Sequence, residues 1–261
     1  MIKLKPLSII TPTLDSIKTI EKNLESISSQ KHIYFEHIVI DGYSSDGTVE
    51  LIQNYKGHEI IFLNEDEKGI YQAINQGIRA SSGEFIMLLN SDDWLPPRSL
   101  EIINNQILEH QSNIHIFSSD VYEDNKRIAS VYPIKDFNLP IQKMPFSHGA
   151  MIASKYFLLK KGLYSNQYSL SSDLDFVNNT CSDDYKFHDD IIHCFSLEGA
   201  SSQNFKGSKE SMNIAINYGK NPLLAKLFFL RVVVNKLAGK IFSFSTIIKI
   251  KKFLRYSSNW K

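Results

Sequence analysis

GEFIMLLNSDDWLPP, residues 83–97, joins a short apolar run to two adjacent carboxylates. The run Phe85–Leu89 has the length of a strand and contains no polar residue, which is typical of a strand buried on both faces. Asp92 and Asp93 follow where that strand must end. Because open α/β sheets bind ligands at the carboxyl ends of their strands, this stretch predicts a buried strand that presents an acidic pair to a ligand.

Apolar runs and helical patterns alternate through the first ninety residues. Strands are predicted at Leu7–Ile10, Tyr34–Ile40, Glu59–Leu63 and Glu84–Leu89, and helices at about Ile17–Ser29, Thr48–Tyr55 and Gly69–Ala80. This alternation predicts an α/β fold with a mainly parallel central sheet flanked by helices. The segments Thr11–Asp15, Asp41–Thr48 and Asn90–Asp93 then lie at one edge of that sheet.

The second half of the chain is less regular. A helix is predicted at Pro96–Glu109, strands at Ile114–Ser118 and Ile128–Tyr132, a hairpin turn at Tyr122–Arg127, and a serine-capped helix at Ser172–Cys181. The polar segment Asn204–Ser211 is the best candidate for a domain boundary.

Composition bounds the class of protein. The 261 residues are 43% hydrophobic, which is enough for a sizeable core. Cys181 and Cys194 are the only cysteines, and no secretory-signal pattern precedes Leu7. These features exclude a disulfide scaffold and predict a reducing compartment. The cysteines lack ligand-like spacing, which favours two packed thiols over a metal site.

Charge is divided unevenly along the chain. From residue 220 to the end there are ten Lys or Arg and no Asp or Glu, whereas residues 1–219 have a net charge of −9. The tail is also rich in Leu, Phe, Ile and Val, but its longest uncharged stretch, Ile241–Ile248, is too short to span a bilayer. We favour interfacial helices on an anionic membrane surface, because a merely solvated face rarely lacks acids altogether. A helical pair packed on the main domain, with a basic outer face, is the alternative.

Asp41 opens the polar segment DGYSSDGT, residues 41–48. A strand-end Asp followed by Gly can accept hydrogen bonds from a base or ribose that lies over the sheet edge. A polar turn in which Ser45 or Asp46 caps the next helix gives the same pattern.

Asp92 and Asp93 repel each other, and each loses hydration at the end of a buried strand. Mg²⁺ or Mn²⁺ would relieve both costs, since such a cation binds one or two carboxylates and completes its shell with phosphate oxygens. A solvated loop with a helix cap before Pro96 is the alternative.

Upstream, the segment EDEKGIYQAINQGI, residues 65–78, predicts a helix packed close to a ligand, with Lys68 available to a phosphate. A charged turn before an ordinary helix would look similar.

Four motifs occur in order: TPT (11–13), DGYSSDGT, EKGIYQAINQGI and GEFIMLLNSDDWLPP. Together they resemble the family-2 glycosyltransferases with the GT-A fold, strongly over residues 7–110 and more weakly to about 205. The resemblance implies a nucleoside-diphosphate-sugar donor, a divalent metal and inversion at the anomeric carbon. It divides the chain into a catalytic domain at 1–205, with a donor half at 1–110 and an acceptor half at 111–205, and a helical basic tail at 206–261.

The resemblance also implies roles for individual residues. Thr11 and Pro12 match the end of the family's first strand, beside the nucleotide, and Asp41 matches the Asp that contacts the base. Asp92 and Asp93 occupy the acidic motif that binds metal and ribose.

Two further positions follow from the same resemblance. Asn90 stands where many members have another Asp, so no metal role is carried over to it. Asp173, in the segment Ser172–Asp175 after Gly162-Leu163-Tyr164, matches the catalytic base that takes the proton from the acceptor hydroxyl. Asp175 is expected to orient its neighbours. An ordinary acidic first turn of a helix is the alternative.

Histidines and acids downstream are weaker candidates. His148 matches a histidine that some relatives have beside the acceptor pocket, and a core or loop histidine is the alternative. The remaining cluster lacks regular ligand spacing and is interpreted as solvated turns around a strand; it comprises Asp183, Asp184, His188, Asp189, Asp190 and His193.

The resemblance implies an inverting, metal-dependent glycosyltransferase of the hexosyl or N-acetylhexosaminyl class. We expect a UDP-linked donor, a lipid-linked or polysaccharide-precursor acceptor, a peripheral location on the cytoplasmic face of the membrane, and no nucleic-acid partner. A sugar-phosphate nucleotidylyltransferase would need a Gly-rich loop where Thr11-Pro12-Thr13 stands. A non-catalytic nucleotide-sugar-binding module would need the acidic motif or the base to be lost, and both are present.

Overall fold

A central eight-stranded sheet with helices packed against it organises the protein. The computed structural model describes residues 7–30, 34–197 and 205–239. The strands are β1 (Leu7–Thr13), β2 (Phe35–Asp41), β3 (Ile61–Asn64), β4 (Phe85–Leu88), β5 (Ile114–Glu123), β6 (Lys126–Val131), β7 (Met151–Ser154) and β8 (Tyr185–Ser196). The helices are α1 (Ile20–Ser28), α2 (Thr48–Asn54), α3 (Ile70–Ala80), α4 (Ser99–Glu109), α5 (Lys155–Lys161), α6 (Ser172–Asn178), α7 (Phe205–Asn217) and α8 (Pro222–Gly239).

The strand order is β3-β2-β1-β4-β7-β5-β6, with β8 paired to β5. Strands β1 to β4 are mutually parallel, as the sequence predicts. Strand β7 is antiparallel to both of its neighbours, and β8 runs parallel to β5. The predicted α/β class and central sheet are confirmed, although the second half of the sheet is mixed rather than parallel.

Alternate side chains of β1 enter two cores on opposite faces of the sheet, because successive residues of a strand point in opposite directions. Ile10 packs with Ile74 of α3, whereas Ile9 packs with Ile103 of α4. All four side chains are buried. Because β1 is buried on both faces, its sequence is a nearly continuous apolar run.

Gly77 lies where α3 crosses β1 and β2. A Cβ atom there would lie 2.6 Å from Cγ2 of Ile10 and 2.8 Å from Cδ1 of Ile40. The glycine is therefore required by contact between helix and sheet. The predicted helix is present, but at Gly77 it packs against the sheet rather than against a ligand.

Helices α7 and α8 pack on the body of the protein. Ser171 donates a hydrogen bond to the carbonyl oxygen of Gly207 in α7, at 3.0 Å, and Gln142 donates to that of Ala225 in α8, at 2.9 Å. The predicted boundary Asn204–Ser211 begins outside the described residues, and α7 occupies the rest of it. Within the described parts of the chain, no helix is both long and apolar enough to cross a membrane.

An apolar stripe remains exposed on α8. We call it the α8 stripe; its members are Leu223, Leu227, Leu230 and Val234. Their spacing of three or four residues places them on one face of the helix. The alternative predicted helices that pack on the main domain with a basic outer face. The packing is observed, but the exposed α8 stripe is apolar rather than basic. Residues 240–261, which include the predicted stretch Ile241–Ile248, lie outside the described residues.

Candidate active site

The loops after β1 and β2 are tied together at the carboxyl edge of the sheet. The carboxylate of Asp15 accepts a hydrogen bond from the backbone N–H of Ser45, at 2.8 Å, and Asp46 accepts one from that of Ile17, at 3.0 Å. Asp46 also accepts from the N–H of Thr48, the first residue of α2. Gly47, and not Ser45 or Asp46 as predicted, is the N-cap residue of this helix. These hydrogen bonds hold the loops after β1 and β2 against each other.

The predicted nucleotide contacts on β1 and β2 are buried. Asp41 accepts hydrogen bonds from both the backbone N–H and the hydroxyl of Ser44, and it has no exposed surface. The hydroxyl of Thr11 lies 3.0 Å from Nε2 of His37 and is equally buried. Pro12 is buried as well. The side chains of Thr11 and Asp41 thus maintain the strand ends, and only backbone at these positions is available to a ligand without rearrangement.

The two acidic residues after β4 differ in exposure. Asp93 is only 6% exposed, and its Oδ2 accepts a hydrogen bond from the amide of Asn90, at 3.1 Å. Asp92 is half-buried; burial, and next the neighbouring Asp93, raise the pKa of its carboxyl group. Asn23 of α1 donates to the carbonyl oxygens of both Asn90 and Asp93, which fixes the loop. Asp93 therefore faces the protein, and Asp92 is the carboxylate whose charge burial and Asp93 make costly.

His193 of β8 lies against this loop. Its Nε2 is 3.1 Å from Oδ2 of Asp93, and its Nδ1 is 3.1 Å from the hydroxyl of Ser119. His193 and His188 are buried, so the interpretation of their cluster as solvated turns is wrong for both histidines. Asp189 and Asp190 are exposed, but they lie within β8 rather than in a turn beside it. The sequence signal for burial was a histidine inside an apolar run. A buried imidazole requires polar partners, so such a histidine predicts hydrogen-bonding groups around it.

Asp173 lies in the first turn of α6 and is held by α3. The hydroxyl of Tyr71 donates to its Oδ1 at 3.0 Å. Burial, and next the charge of Asp173, raise the pKa of Tyr71 far above its usual range, so the phenol remains a donor. Asn75 exchanges two hydrogen bonds with the backbone of Tyr164, at 2.8 and 3.0 Å. The segment that the sequence associated with a ligand instead supports the candidate base.

His148 connects the two acidic groups. Its Nε2 lies 2.8 Å from the hydroxyl of Tyr164. Burial lowers the pKa of His148, while the carboxylates of Asp173 and Asp93 are close enough to oppose that shift. Tyr71, which holds Asp173, stacks on Tyr164, and Gly149, next to His148, packs on His193 beside Asp93. The candidate base and the acidic loop therefore lie on either side of His148.

The residues present are compatible with a divalent cation. Within 7–30, 34–197 and 205–239, no group of three or more His, Cys, Asp and Glu side chains forms a ready metal cage. Mg²⁺ needs none when one or two carboxylates and substrate phosphates supply its ligands. Asp92, a half-buried carboxylate with a raised pKa beside a second carboxylate, fits that donor set.

Lys68 lies apart from this region, and Asp175 has different neighbours from Asp173. Lys68 is exposed in the loop after β3, which is three strand positions from β4, or roughly 14 Å at the usual strand spacing. Burial raises the pKa of Asp175, and its backbone oxygen accepts from the hydroxyl of Tyr218, at 3.4 Å.

The two cysteines differ in exposure. Cys194 is buried and Cys181 is exposed, so the prediction of packed thiols is wrong for Cys181.

Comparison with known proteins gives a family and a fold. Residues 8–166 match the model of glycosyl transferase family 2. A PGL/p-HBAD biosynthesis glycosyltransferase from Mycobacterium bovis is 26% identical over 174 residues, which are 65% of this chain and 67% of the relative. Glycosyltransferase GlyA from Streptococcus pneumoniae is 26% identical over 112 residues, which are 42% of this chain but only 16% of that relative.

Two solved structures have the same fold. Residues 1–349 of Staphylococcus aureus TarS in complex with UDP-GlcNAc give a TM-score of 0.65 at 17% identity, over 94% of this chain and 76% of that one. Mannosyltransferase PcManGT from Pyrobaculum calidifontis, in complex with GDP-Man and Mn²⁺, gives 0.64 at 15% identity, over 98% and 82%.

Proposed function

The chain belongs to glycosyltransferase family 2 and has the GT-A fold, and from this premise we propose that it transfers a hexosyl or N-acetylhexosaminyl unit from a UDP-linked donor. The acceptor in this proposal is a lipid-linked or polysaccharide-precursor hydroxyl, and the anomeric configuration inverts. The observation that carries the proposal is the set of contacts around His148. Its ring contacts the hydroxyl of Tyr164, and Tyr164 stacks on Tyr71, which holds Asp173. Gly149, the next residue, packs on His193 beside Asp93.

Asp173 is assigned as the general base. Tyr71 occupies one carboxylate oxygen, and the other is assigned to the proton of the acceptor hydroxyl. As that proton leaves, the acceptor oxygen attacks the anomeric carbon from the side opposite the diphosphate. One base and one in-line displacement invert the configuration. The C–O bond to the diphosphate breaks with its electron pair on the leaving oxygen.

Asp92 is assigned to the metal and the diphosphate. A divalent cation, when bound, offsets the negative charge that develops on the leaving diphosphate. Asp93 is assigned to holding the loop, because His193 and Asn90 already occupy its inner oxygen. This revises the sequence-based pairing, in which both carboxylates are ligands. The Mn²⁺ in the PcManGT complex and the nucleotide sugars in both solved structures support a metal and a donor of this class.

The nucleoside is assigned to the ends of β1 and β2. Thr11, Pro12 and Asp41 contribute there through backbone and loop shape, since their side chains are buried. Lys68 stays a proposed phosphate contact, although it lies on the far side of these strands from Asp92.

An anionic membrane surface is the second partner in the proposal. The α8 stripe is exposed, and the ten cations after residue 219 have no acids among them. Apolar insertion and attraction to anionic headgroups act together in interfacial helices. Docking of this kind brings a lipid-linked acceptor to the active site at the cytoplasmic face.

Metal-dependent donor binding tests the proposal. The purified protein is melted with a panel of nucleotide sugars, with and without Mn²⁺. A ligand at one hundred times its Kd stabilises the native state by about 2.7 kcal/mol. We expect one donor to raise the melting temperature. In Asp92→Asn, the increase that depends on Mn²⁺ should be lost.

The control is Asp183→Asn, an exposed acid in the turn before β8, which should behave as the wild type. The proposal fails if no nucleotide sugar stabilises the wild-type protein. Release of pyrophosphate from a nucleoside triphosphate and a sugar phosphate would instead establish the nucleotidylyltransferase alternative.

A further inference from the structure

Two backbone hydrogen bonds fasten β8 to the acidic loop. The N–H of Trp94 donates to the carbonyl oxygen of Cys194 at 3.0 Å, and the N–H of Cys194 donates to that of Trp94 at 2.9 Å. Each of these residues directly follows a member of the Asp93–His193 pair. The strand therefore fixes where the imidazole stands relative to the carboxylate.

Ser119 of β5 contacts the imidazole at Nδ1, the nitrogen that does not face Asp93. Because Nδ1 lies 3.1 Å from the hydroxyl of Ser119, Nε2 is the nitrogen that faces Asp93. Nε2 lies 3.1 Å from Oδ2, but the angle is unfavourable for a hydrogen bond, so the interaction is mainly electrostatic. His193 is 1% exposed and Asp93 is 6% exposed. Little water is available to screen the interaction.

Gly149 gives the ring its space. A Cβ atom at this position would overlap Nε2 of His193, and the backbone of Gly149 has no positive φ that would itself demand glycine. Only the imidazole, and not the turn, therefore requires a glycine here.

Asp93 needs this partner because a buried carboxylate is costly unless polar groups surround it. Asn90 supplies one hydrogen bond from within the loop. Without His193, the charge would be drawn toward solvent, and the loop would move with it. Asp92 is the next residue and would be displaced from its position at the sheet edge.

We propose that His193 is a positioning residue that holds Asp93 inward and thereby presents Asp92 to the metal–diphosphate unit of the donor. The inference rests on the proposed function, and it gives β8, a strand of the acceptor half, a task in donor binding. Loss of a side chain that orients a metal ligand in this way commonly lowers metal affinity about 10- to 100-fold.

The test compares two substitutions of His193 by calorimetry with UDP, GDP and dTDP, each in the presence of Mn²⁺. His193→Leu removes the ring nitrogen that faces Asp93. It should weaken Mn²⁺-dependent nucleotide binding about tenfold or more. His193→Gln keeps an N–H donor at similar reach and should stay within about threefold of wild type. His188→Leu, a buried histidine of the same strand, should bind nucleotide as the wild type does, whatever its melting temperature.

Gly149→Ala keeps His193 but displaces its ring, and should weaken binding in the same direction. It also serves if His193→Leu fails to fold. Wild-type affinity in both His193→Leu and Gly149→Ala would overturn the inference. So would equal losses in His193→Leu and His193→Gln, which would make the imidazole itself a ligand, or an equal loss in His188→Leu. If the wild-type protein binds none of the three nucleotides, the proposed function fails instead.

Discussion

Asp173 and Asp175 lie two positions apart at the start of α6, yet their surroundings differ. Asp173 accepts a hydrogen bond from a phenol that burial keeps protonated, and it lies near His148. Asp175 is half-buried near Tyr218, and burial raises its pKa. Spacing alone does not separate the two carboxylates, whereas their neighbours do. The base is therefore assigned to Asp173.

Asp173→Asn should lower turnover by roughly 10²-fold or more, because the amide keeps the volume but accepts no proton. Nucleotide affinity should change little, since the acidic loop is intact. Steady-state rates and calorimetry on the same preparation measure both quantities. Asp175→Asn is the matched control and should retain most activity; the reverse pattern would transfer the role of base to Asp175.

Tyr71→Phe should lower kcat and leave the KM for the donor nearly unchanged. The variant keeps the ring stacked on Tyr164, with centroids 5.7 Å apart, and loses only the hydroxyl that orients Asp173. A hydrogen bond to a charged group contributes about 1.5–3 kcal/mol, so a decrease of about 10- to 100-fold is expected. Tyr156→Phe is the control, because that tyrosine is exposed on α5 and should keep the kcat of the wild type. A change confined to the donor KM would contradict this role.

Helix α3 reaches the sheet through Gly77 and reaches the base through Tyr71. The close approach at Gly77 sets the height of the helix above β1 and β2. Any Cβ there must push the helix outward or force Ile10 and Ile40 from their rotamers. Packing and catalysis are therefore coupled within one element.

Gly77→Ala should destabilise the protein by about 1–3 kcal/mol, the usual cost of overpacking, despite the better helix propensity of alanine. Gly207→Ala in α7 is the matched control, because a Cβ there would meet Leu170 at an ordinary 3.4 Å. That control should be neutral or stabilising by up to about 1 kcal/mol. Urea unfolding of both variants measures the difference, and equal stability would disprove the role of Gly77.

Strands β1 to β4 and helices α2 and α3 were predicted within a few residues, because their signals are local. Continuous apolar runs mark the buried strands, and strand ends locate Asp41 and the acidic pair. Strand β7 and helix α5 gave no comparable pattern, since β7 has four residues between antiparallel neighbours. The Asp93–His193 contact joins positions one hundred residues apart through the pairing of β8 with β5, which no local pattern encodes.

The charge of the whole chain is segregated, with a net −9 over residues 1–219 and ten cations without an acid beyond them. Helix α8 begins the basic part and is only partly covered. Ala225 is fully buried, whereas Leu227 and Leu230 are 54% and 57% exposed. An apolar stripe beside cations is typical of a membrane-facing helix, and the acidic body would be kept off the anionic surface.

Deleting everything after Tyr218 would test this arrangement poorly, because the deletion also removes Ala225 from its contact with Gln142. Exposed positions of the α8 stripe can be changed without disturbing that contact. The triple variant Leu227→Ser, Leu230→Ser, Val234→Ser should keep its melting temperature and bind vesicles of anionic phosphatidylglycerol more weakly than the wild type. Leu159→Ser, an exposed position on α5, is the control and should bind normally.

Salt separates the electrostatic part of vesicle binding from the apolar part. Each cation near an anionic surface contributes about 1 kcal/mol, so half of the ten would give about 5 kcal/mol at low ionic strength. Raising the salt to 1 M shortens the screening length to about 3 Å and should release most of the wild-type protein. Neutral phosphatidylcholine vesicles should bind little at either salt concentration. If the stripe is instead covered by another part of the chain, the triple variant will melt earlier while its vesicle binding equals that of the wild type, and membrane docking through α8 would be refuted.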